Sequence, residues 1–306
     1  MKLSQLEFLV SLNTYGTFSA AAKALNTFQP TVSAGIISLE KELGSRLLER
    51  SKDGVTFNEE GKAVLRNAGR ITLAVANLKR LASQGGRPIS IGANAPLCSQ
   101  LVLPVVESNH GQLENFEVSI KAASTDDLME SLLRGEYDLA VAYIDNIPKE
   151  QYRWYNDIGV SFTPLFKDRL IFTCREGHPL LSLPEIKVTD LLKYPCVSYY
   201  PGIDEPIQKL FDEYNYSQPI NHIVEIVSLR RFVATTDALA IQGYAAMRNG
   251  NRIYADKLVP LSVEGAYWEN NVALIHMSGE LTSLEKRLAE ELASRSQALN
   301  ADSIDE

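Results

Sequence analysis

The sequence is poor in the residues that most often carry covalent chemistry. Its 306 residues include three cysteines and four histidines. Cys98, Cys174 and Cys196 are too few and too scattered for a disulfide framework or a zinc site. His110, His178, His222 and His276 show no metal-ligand spacing. HExxH pairs, glycine-rich phosphate loops and nucleophile elbows are all missing, so no enzyme is expected and no metal or cofactor is implied. No apolar run approaches the ~18 residues of a membrane span. Met1–Glu7 lacks the basic and apolar regions of a signal peptide, and a cytoplasmic protein is expected. Internal repeats and low-complexity tracts are also absent. The rest is ordinary globular composition, 45% hydrophobic and 22% charged, with length for two or three domains.

Charge is unevenly placed. The net charge is −8, yet residues 1–84 hold eleven Lys and Arg against seven Asp and Glu. A basic N-terminal module on an acidic body suits nucleic acid held at one end of the molecule.

Residues 3–14 read as a helix with Leu3, Leu6 and Leu9 inward. Phe18–Glu40 then reads as two short helices meeting at a tight turn. Ser19 is the expected cap of the first, Asn26 and Thr27 end it, and Pro30 sits in the first turn of the second. Val32, Ile36, Leu39 and Leu43 recur as one apolar stripe, leaving Pro30, Ser33, Ala34 and Ile37 on the opposite face. Two short strands follow, Arg46–Arg50 and Val55–Phe57, joined at Asp53-Gly54, a strong hairpin signal. A helical bundle with no ligand has the same periodicity.

Gly16–Gly61 resembles the winged helix-turn-helix of LysR-type transcriptional regulators. The matching pieces are Gly16-Thr17-Phe18-Ser19-Ala20-Ala21-Ala22, Gln29-Pro30-Thr31-Val32-Ser33, Leu39-Glu40-Lys41-Glu42-Leu43-Gly44, Leu47-Leu48-Glu49-Arg50 and Gly54–Gly61. The resemblance implies a DNA-binding domain over residues 1–58. Gln29, Pro30, Ser33 and Ala34 would face bases, with Thr31, Ser38, Arg46, Arg50 and Lys52 on the backbone or in the wing. Three departures stand out, one of them Asp53, which adds a negative charge at the wing tip. Phe28 occupies a position where relatives usually place a Ser or Thr cap, and Ala34-Gly35 replace long polar side chains.

Asn58 caps a predicted helix over residues 59–84. Val64, Ala68, Ile71, Val75, Leu78 and Ala82 follow a heptad rhythm along it. A ~25-residue helix is roughly 37 Å long, more than so small a head can cover. The seam is therefore read as a dimerisation face, in preference to packing on its own chain. Ser83–Pro88 is a hinge by composition.

Beyond it, strands and helices alternate. Predicted strands are Ile89–Gly92, Phe116–Ile120, Tyr137–Ala142, Leu165–Cys174, Cys196–Tyr199, Ile223–Ile226 and Trp268–His276. Predicted helices are Leu97–Asn109, Asp126–Arg134, Asp204–Tyr214, Leu229–Ala234 and Leu281–Arg295. The expected fold is α/β: the winged head, a linker helix, and a two-lobed effector domain of periplasmic-binding-protein type over 85–306. Its first lobe would take about 88–163 and 267–306, its second about 164–266. Pro164-Leu165-Phe166-Lys167-Asp168-Arg169-Leu170 and Gly177-His178-Pro179-Leu180 resemble the LysR-type effector domain.

By that resemblance a small-molecule effector, small and polar or anionic such as a carboxylate, lies between the lobes. Its contacts would come from Asn94, Leu97, Cys98, Ser99, Ser124, Thr125, Ser198, Tyr199, Gly202 and Ser228. A homodimer or homotetramer on double-stranded promoter DNA is expected. The rival is a cytoplasmic solute-binding protein or small enzyme whose head serves only oligomerisation. Cys98, near a helix start, is the one candidate for a reactive thiol.

Overall fold

The computed structural model describes residues 1–51, 54–82, 88–109, 117–198, 205–215, 220–223, 225–249, 254–266, 268–279 and 281–301. It opens with α1 (Leu3–Tyr15), α2 (Phe18–Ala24), α3 (Gln29–Leu43) and the hairpin β1 (Leu48–Ser51) and β2 (Gly54–Phe57). Leu6, Leu9, Leu12, Ala21, Val32, Ile36, Leu39 and Leu47 bury together. The stripe read on α3 is thus the packed face, except for Leu43 at its end, which is exposed. The cap of α2 is Thr17, whose side chain accepts from Ala20 N, not Ser19. Gly16, in the left-handed region at φ +70°, ends α1 and turns the chain so that Thr17 reaches that position. The carbonyl of Gly16 then accepts from Val55 N at 2.9 Å, tying the hairpin to the turn.

α4 (Glu59–Ala82) starts at Asn58, whose Oδ1 accepts from Gly61 N at 2.7 Å. The hinge residues 83–87 lie outside the described residues. The remainder runs β3 (Ile89–Ala93), α5 (Ala95–Leu97), a π-helical turn (Cys98–Val102), α6 (Leu103–Ser108), β4 (Val118–Ala122), α7 (Thr125–Leu133), β5 (Leu139–Tyr143), α8 (Lys149–Ile158) and β6 (Val160–Arg175). Then come β7 (Ile186–Lys187), α9 (Val188–Leu191), β8 (Cys196–Ser198), α10 (Glu205–Glu213), β9 (Asn221–His222), α11 (Ile226–Thr235), β10 (Leu239–Gly243) and α12 (Tyr244–Asn249). β11 (Leu258–Leu261), β12 (Val263–Glu264), β13 (Trp268–Met277) and α13 (Ser283–Ala301) complete the chain.

One large sheet has the order β4-β3-β5-β13-β6-β10-β8-β9, with β11 also paired to β6. β3 is parallel to β4 and β5 at one end, and β8 is parallel to β10 and β9 at the other. Between them the long strand β6 is antiparallel to β13 over Val160–Leu170 and to β10 over Leu170–Thr173. The same strand therefore belongs to both halves.

Three sequence expectations change. Ile223–Ile226 is not a strand: Glu225 caps α11, its carboxylate accepting from Val227 N at 2.8 Å and Ser228 N at 2.7 Å. The helix over 97–109 is interrupted by the π-turn. And α4 does pack on its own chain. Leu65, Ala68, Leu73 and Ala76 are buried in one core with head residues and with Trp154 and Ile158 of α8. The heptad face overlaps this one at its start, where Ala68 is buried and Val64 packs against the same core. Farther along, Ile71 is 41% exposed and Leu78 65%, so only the later part of the seam is open. The Tyr15 hydroxyl, hydrogen-bonded to the Glu130 carboxylate of α7, adds a polar tie between the head and the first half. Among the described residues no helix is long and apolar enough to cross a membrane.

Gly69 is where α4 meets α8 most closely: a Cβ there would lie 2.6 Å from Ile158 Cγ2 and 3.1 Å from Trp154 Cζ2. Gly69→Leu is expected to destabilise the protein by about 1–3 kcal/mol. It should also red-shift tryptophan emission as Trp154 gains water. An unshifted spectrum with unchanged unfolding would mean that α4 does not dock there.

Candidate nucleic-acid interface and ligand site

The outward face of α3 is built from what its packed face leaves over. Gln29, Pro30, Thr31, Ala34, Ile37 and Ser38 are exposed, and Ser33 is half-buried. Ser19 Oγ donates to Gln29 Oε1 at 3.2 Å, which steadies the Gln29 side chain and leaves its amide hydrogens for a partner. Glu40 holds the hairpin against this helix: its Oε1 accepts from Leu47 N at 2.8 Å and from Leu48 N at 3.3 Å. Arg46 is exposed beside it. Arg50 lies on β1, paired with Val55. Lys52 falls outside the described residues. A cleft of about 1050 Å³ between α3 and the hairpin is bordered by Ile37, Lys41, Arg46 and Glu49.

The ligand-site candidates divide by burial. Asn94 is buried and fully used: Nδ2 donates to Ala123 O at 3.0 Å, and Oδ1 accepts from Tyr143 N at 2.8 Å. Thr125 Oγ1 donates to Tyr143 O at 3.0 Å, so both residues fasten three strand ends together. Leu97 and Ser198 are buried too. Cys98 and Ser99 are half-buried, Ser99 Oγ donating to Pro96 O at 3.1 Å. Ser124 caps α7 and donates to Asp127 Oδ2 at 2.6 Å. Ser228 is exposed in the first turn of α11. Tyr199 and Gly202 fall outside the described residues.

With this geometry in view, comparison with known proteins is decisive. Residues 3–62 match the "Bacterial regulatory helix-turn-helix protein, lysR family", and residues 82–297 match the "LysR substrate binding domain". The chain belongs to the LysR family. Among curated relatives, the regulator PcaQ of Agrobacterium fabrum is 30% identical over 251 residues, covering 79% of this chain and 78% of its own. The "Hydrogen peroxide-inducible genes activator" of Haemophilus influenzae is 32% identical over 184 residues, 58% of each chain. Among solved structures, the LysR family regulator HinK from Pseudomonas aeruginosa aligns over 97% of this chain and 99% of its own, with TM-score 0.55 and 18% identity. Relatives are named as transcriptional regulators, not enzymes, and the family joins a DNA-binding head to a substrate-binding domain.

Two features of this LysR-family chain were missed or misjudged from sequence. The first is Cys98. Burial outweighs any help from the helix start and pushes its thiol up to about 11, and Cys174 rises likewise to about 11. Neither is a ready thiolate. The second is Asp168, read only as part of a motif. It is buried on β6, where Tyr143 Oη donates to its Oδ2 at 2.8 Å and Ala245 N to its Oδ1 at 2.9 Å. Tyr143 belongs to β5 and Ala245 to α12, so one carboxyl joins both halves at the crossover strand. In the sequence it is one of three consecutive charged residues, Lys167-Asp168-Arg169, within that motif.

Desolvation raises the Asp168 pKa to about 6 despite these donors. A carboxyl raised in the fold favours the folded state while protonated. That contribution is full below about pH 4 and fades as the pH rises through about 6, an effect of up to about 3 kcal/mol. Thermal unfolding of Asp168→Asn is expected to lose this slope between pH 4 and 7. An identical slope in the variant would move its origin elsewhere.

Proposed function

We propose that this chain is a cytoplasmic regulator that binds double-stranded promoter DNA through its head and adjusts that binding when a small-molecule effector occupies the second domain. The observation that carries the reading is the α3 face. A helix packed on one side, exposed on the other and flanked by a hairpin pinned to it by Glu40 fits a major groove with a wing beside it. Gln29, Pro30, Ser33 and Ala34 are assigned to bases. Thr31, Ser38, Arg46, Arg50 and Lys52 are assigned to backbone and wing. The domain limits follow: 1–58 for the head, 59–84 for the linker helix and 85–306 for the effector domain. The exposed Ile71 and Leu78, with the half-buried Val75 between them, support assembly as a homodimer or homotetramer, placing two heads on a roughly palindromic site.

For the effector, a small polar molecule is the class that fits. The helical run starting at Ala95 has no acid in its first turn. The starts of α7 and α11 carry Asp126 and Asp127, and Glu225, which disfavour an anion there. A carboxylate would therefore sit nearer Cys98 and Ser99 than Ser124 or Ser228. The peroxide response in the name of the Haemophilus relative is not assigned to this chain: Cys98, Cys174 and Cys196 are all unbridged, Cys174 and Cys196 are buried, and burial pushes the Cys98 and Cys174 thiols up.

Fluorescence anisotropy of the full chain on duplex DNA tests the reading. Binding should weaken steeply with salt. Gln29→Ala should cost about 1–3 kcal/mol on a selected site and little on random duplex. Absent or salt-insensitive binding would favour a solute-binding protein whose head only oligomerises. A thermal-shift screen of metabolites on the same chain should find a stabilising ligand, and truncating Ser99 should reduce its shift.

A further inference from the structure

Phe28 stands at the N-cap of α3 with no side-chain cap bond, and it is 79% exposed. Both facts cost stability. The neighbouring helices of the head show the alternative: Thr17 caps α2 and Asn58 caps α4. An Asn, Asp, Ser or Thr at position 28 would do the same for α3. An exposed aromatic in place of a cap is a local rule broken at the one helix end that enters the DNA.

We infer that Phe28 reads the C5-methyl group of a thymine in the operator; the inference rests on the DNA-binding reading of α3. Its position is the first reason. The N-terminal residues of a recognition helix are the ones that reach base edges, and Phe28 directly precedes the exposed Gln29 and Pro30. Its chemistry is the second. A phenyl ring offers nothing to phosphates or to the acceptors and donors of the groove floor. In the major groove the only apolar feature a base pair presents is the thymine methyl. The third reason is continuity. Pro30, Ala34 and Ile37 follow one another along the exposed side of α3, with Ile37 54% exposed, so Phe28 leads an apolar row on the face assigned to DNA. The class of site is thus a half-site with a thymine opposite the start of α3, recognised by shape and methyl contact.

The test uses the full chain and a duplex selected by it from random DNA. Each thymine in turn is replaced by deoxyuridine, which removes the methyl and nothing else. Wild type should lose about fourfold in affinity at one thymine in each half-site, the value of one buried methyl-sized group. Phe28→Ser should be indifferent to that replacement while responding as wild type to all others. Phe28→Leu, still apolar, should keep part of the sensitivity. Because serine restores a cap, Phe28→Ser should also raise the melting temperature of the protein, which separates lost contact from lost folding. If no thymine distinguishes wild type from Phe28→Ser, the inference is overturned and the ring faces something other than DNA. If wild type binds no duplex in a salt-dependent way, the DNA-binding reading falls with it.

Discussion

A single hydrogen atom sets how the two parts of this molecule meet. Gly69 has no Cβ, and none would fit against Ile158 and Trp154. That close approach lets α4 lie on α8, and its buried Leu65, Ala68, Leu73 and Ala76 join the head, the linker helix and the first half of the sheet in one apolar core. Dispersion and hydrophobic burial fall off within a fraction of an ångström of lost contact. A larger residue at 69 would therefore separate a whole row of contacts. The head is held by packing and by the Tyr15–Glu130 hydrogen bond, so its orientation is a property of the first half as much as of the linker.

The side of α3 proposed to face DNA follows from what remains. α3 gives one face to the core, and the other carries few long or charged groups. Specificity on such a face rests on a few short polar side chains, on apolar contact and on the shape of the duplex. The basic excess of the first 84 residues is modest. Affinity then leans on two heads acting together, which the open part of the heptad seam allows.

How much could be read beforehand depended on how local the determinants are. The α3 stripe and the β1–β2 hairpin are fixed by spacing within a dozen residues and were legible. Thr17 and Ser19 are equally good caps by type; the left-handed Gly16 selects the first. Ile223–Ile226 looks like a strand because three of its four residues are β-branched, but a glutamate cap at Glu225 overrides that preference. The ligand-site candidates show the harder limit. Asn94 and Thr125 are the residue types a ligand would want, and also the types that knit strand ends; only burial and partners tell the two apart. Asp168 needed Tyr143 and Ala245, far away in sequence, before it meant anything. Several elements of the second half were not read, among them β10, β11 and α12, nor was α8 in the first, although the apolar run Ala238–Ile241 marks one of them.

The course of β6 through both halves bears on how a signal would travel. Its backbone ladder is shared, with β13 along one stretch and β10 along the next. The ladder with β13 carries a register shift where Val272 pairs with Phe166 and Ala273 with Pro164, and from Leu170 onward β6 pairs with β10. Because one strand is built into both halves, a change of twist in β6 would be felt on both sides of the sheet at once.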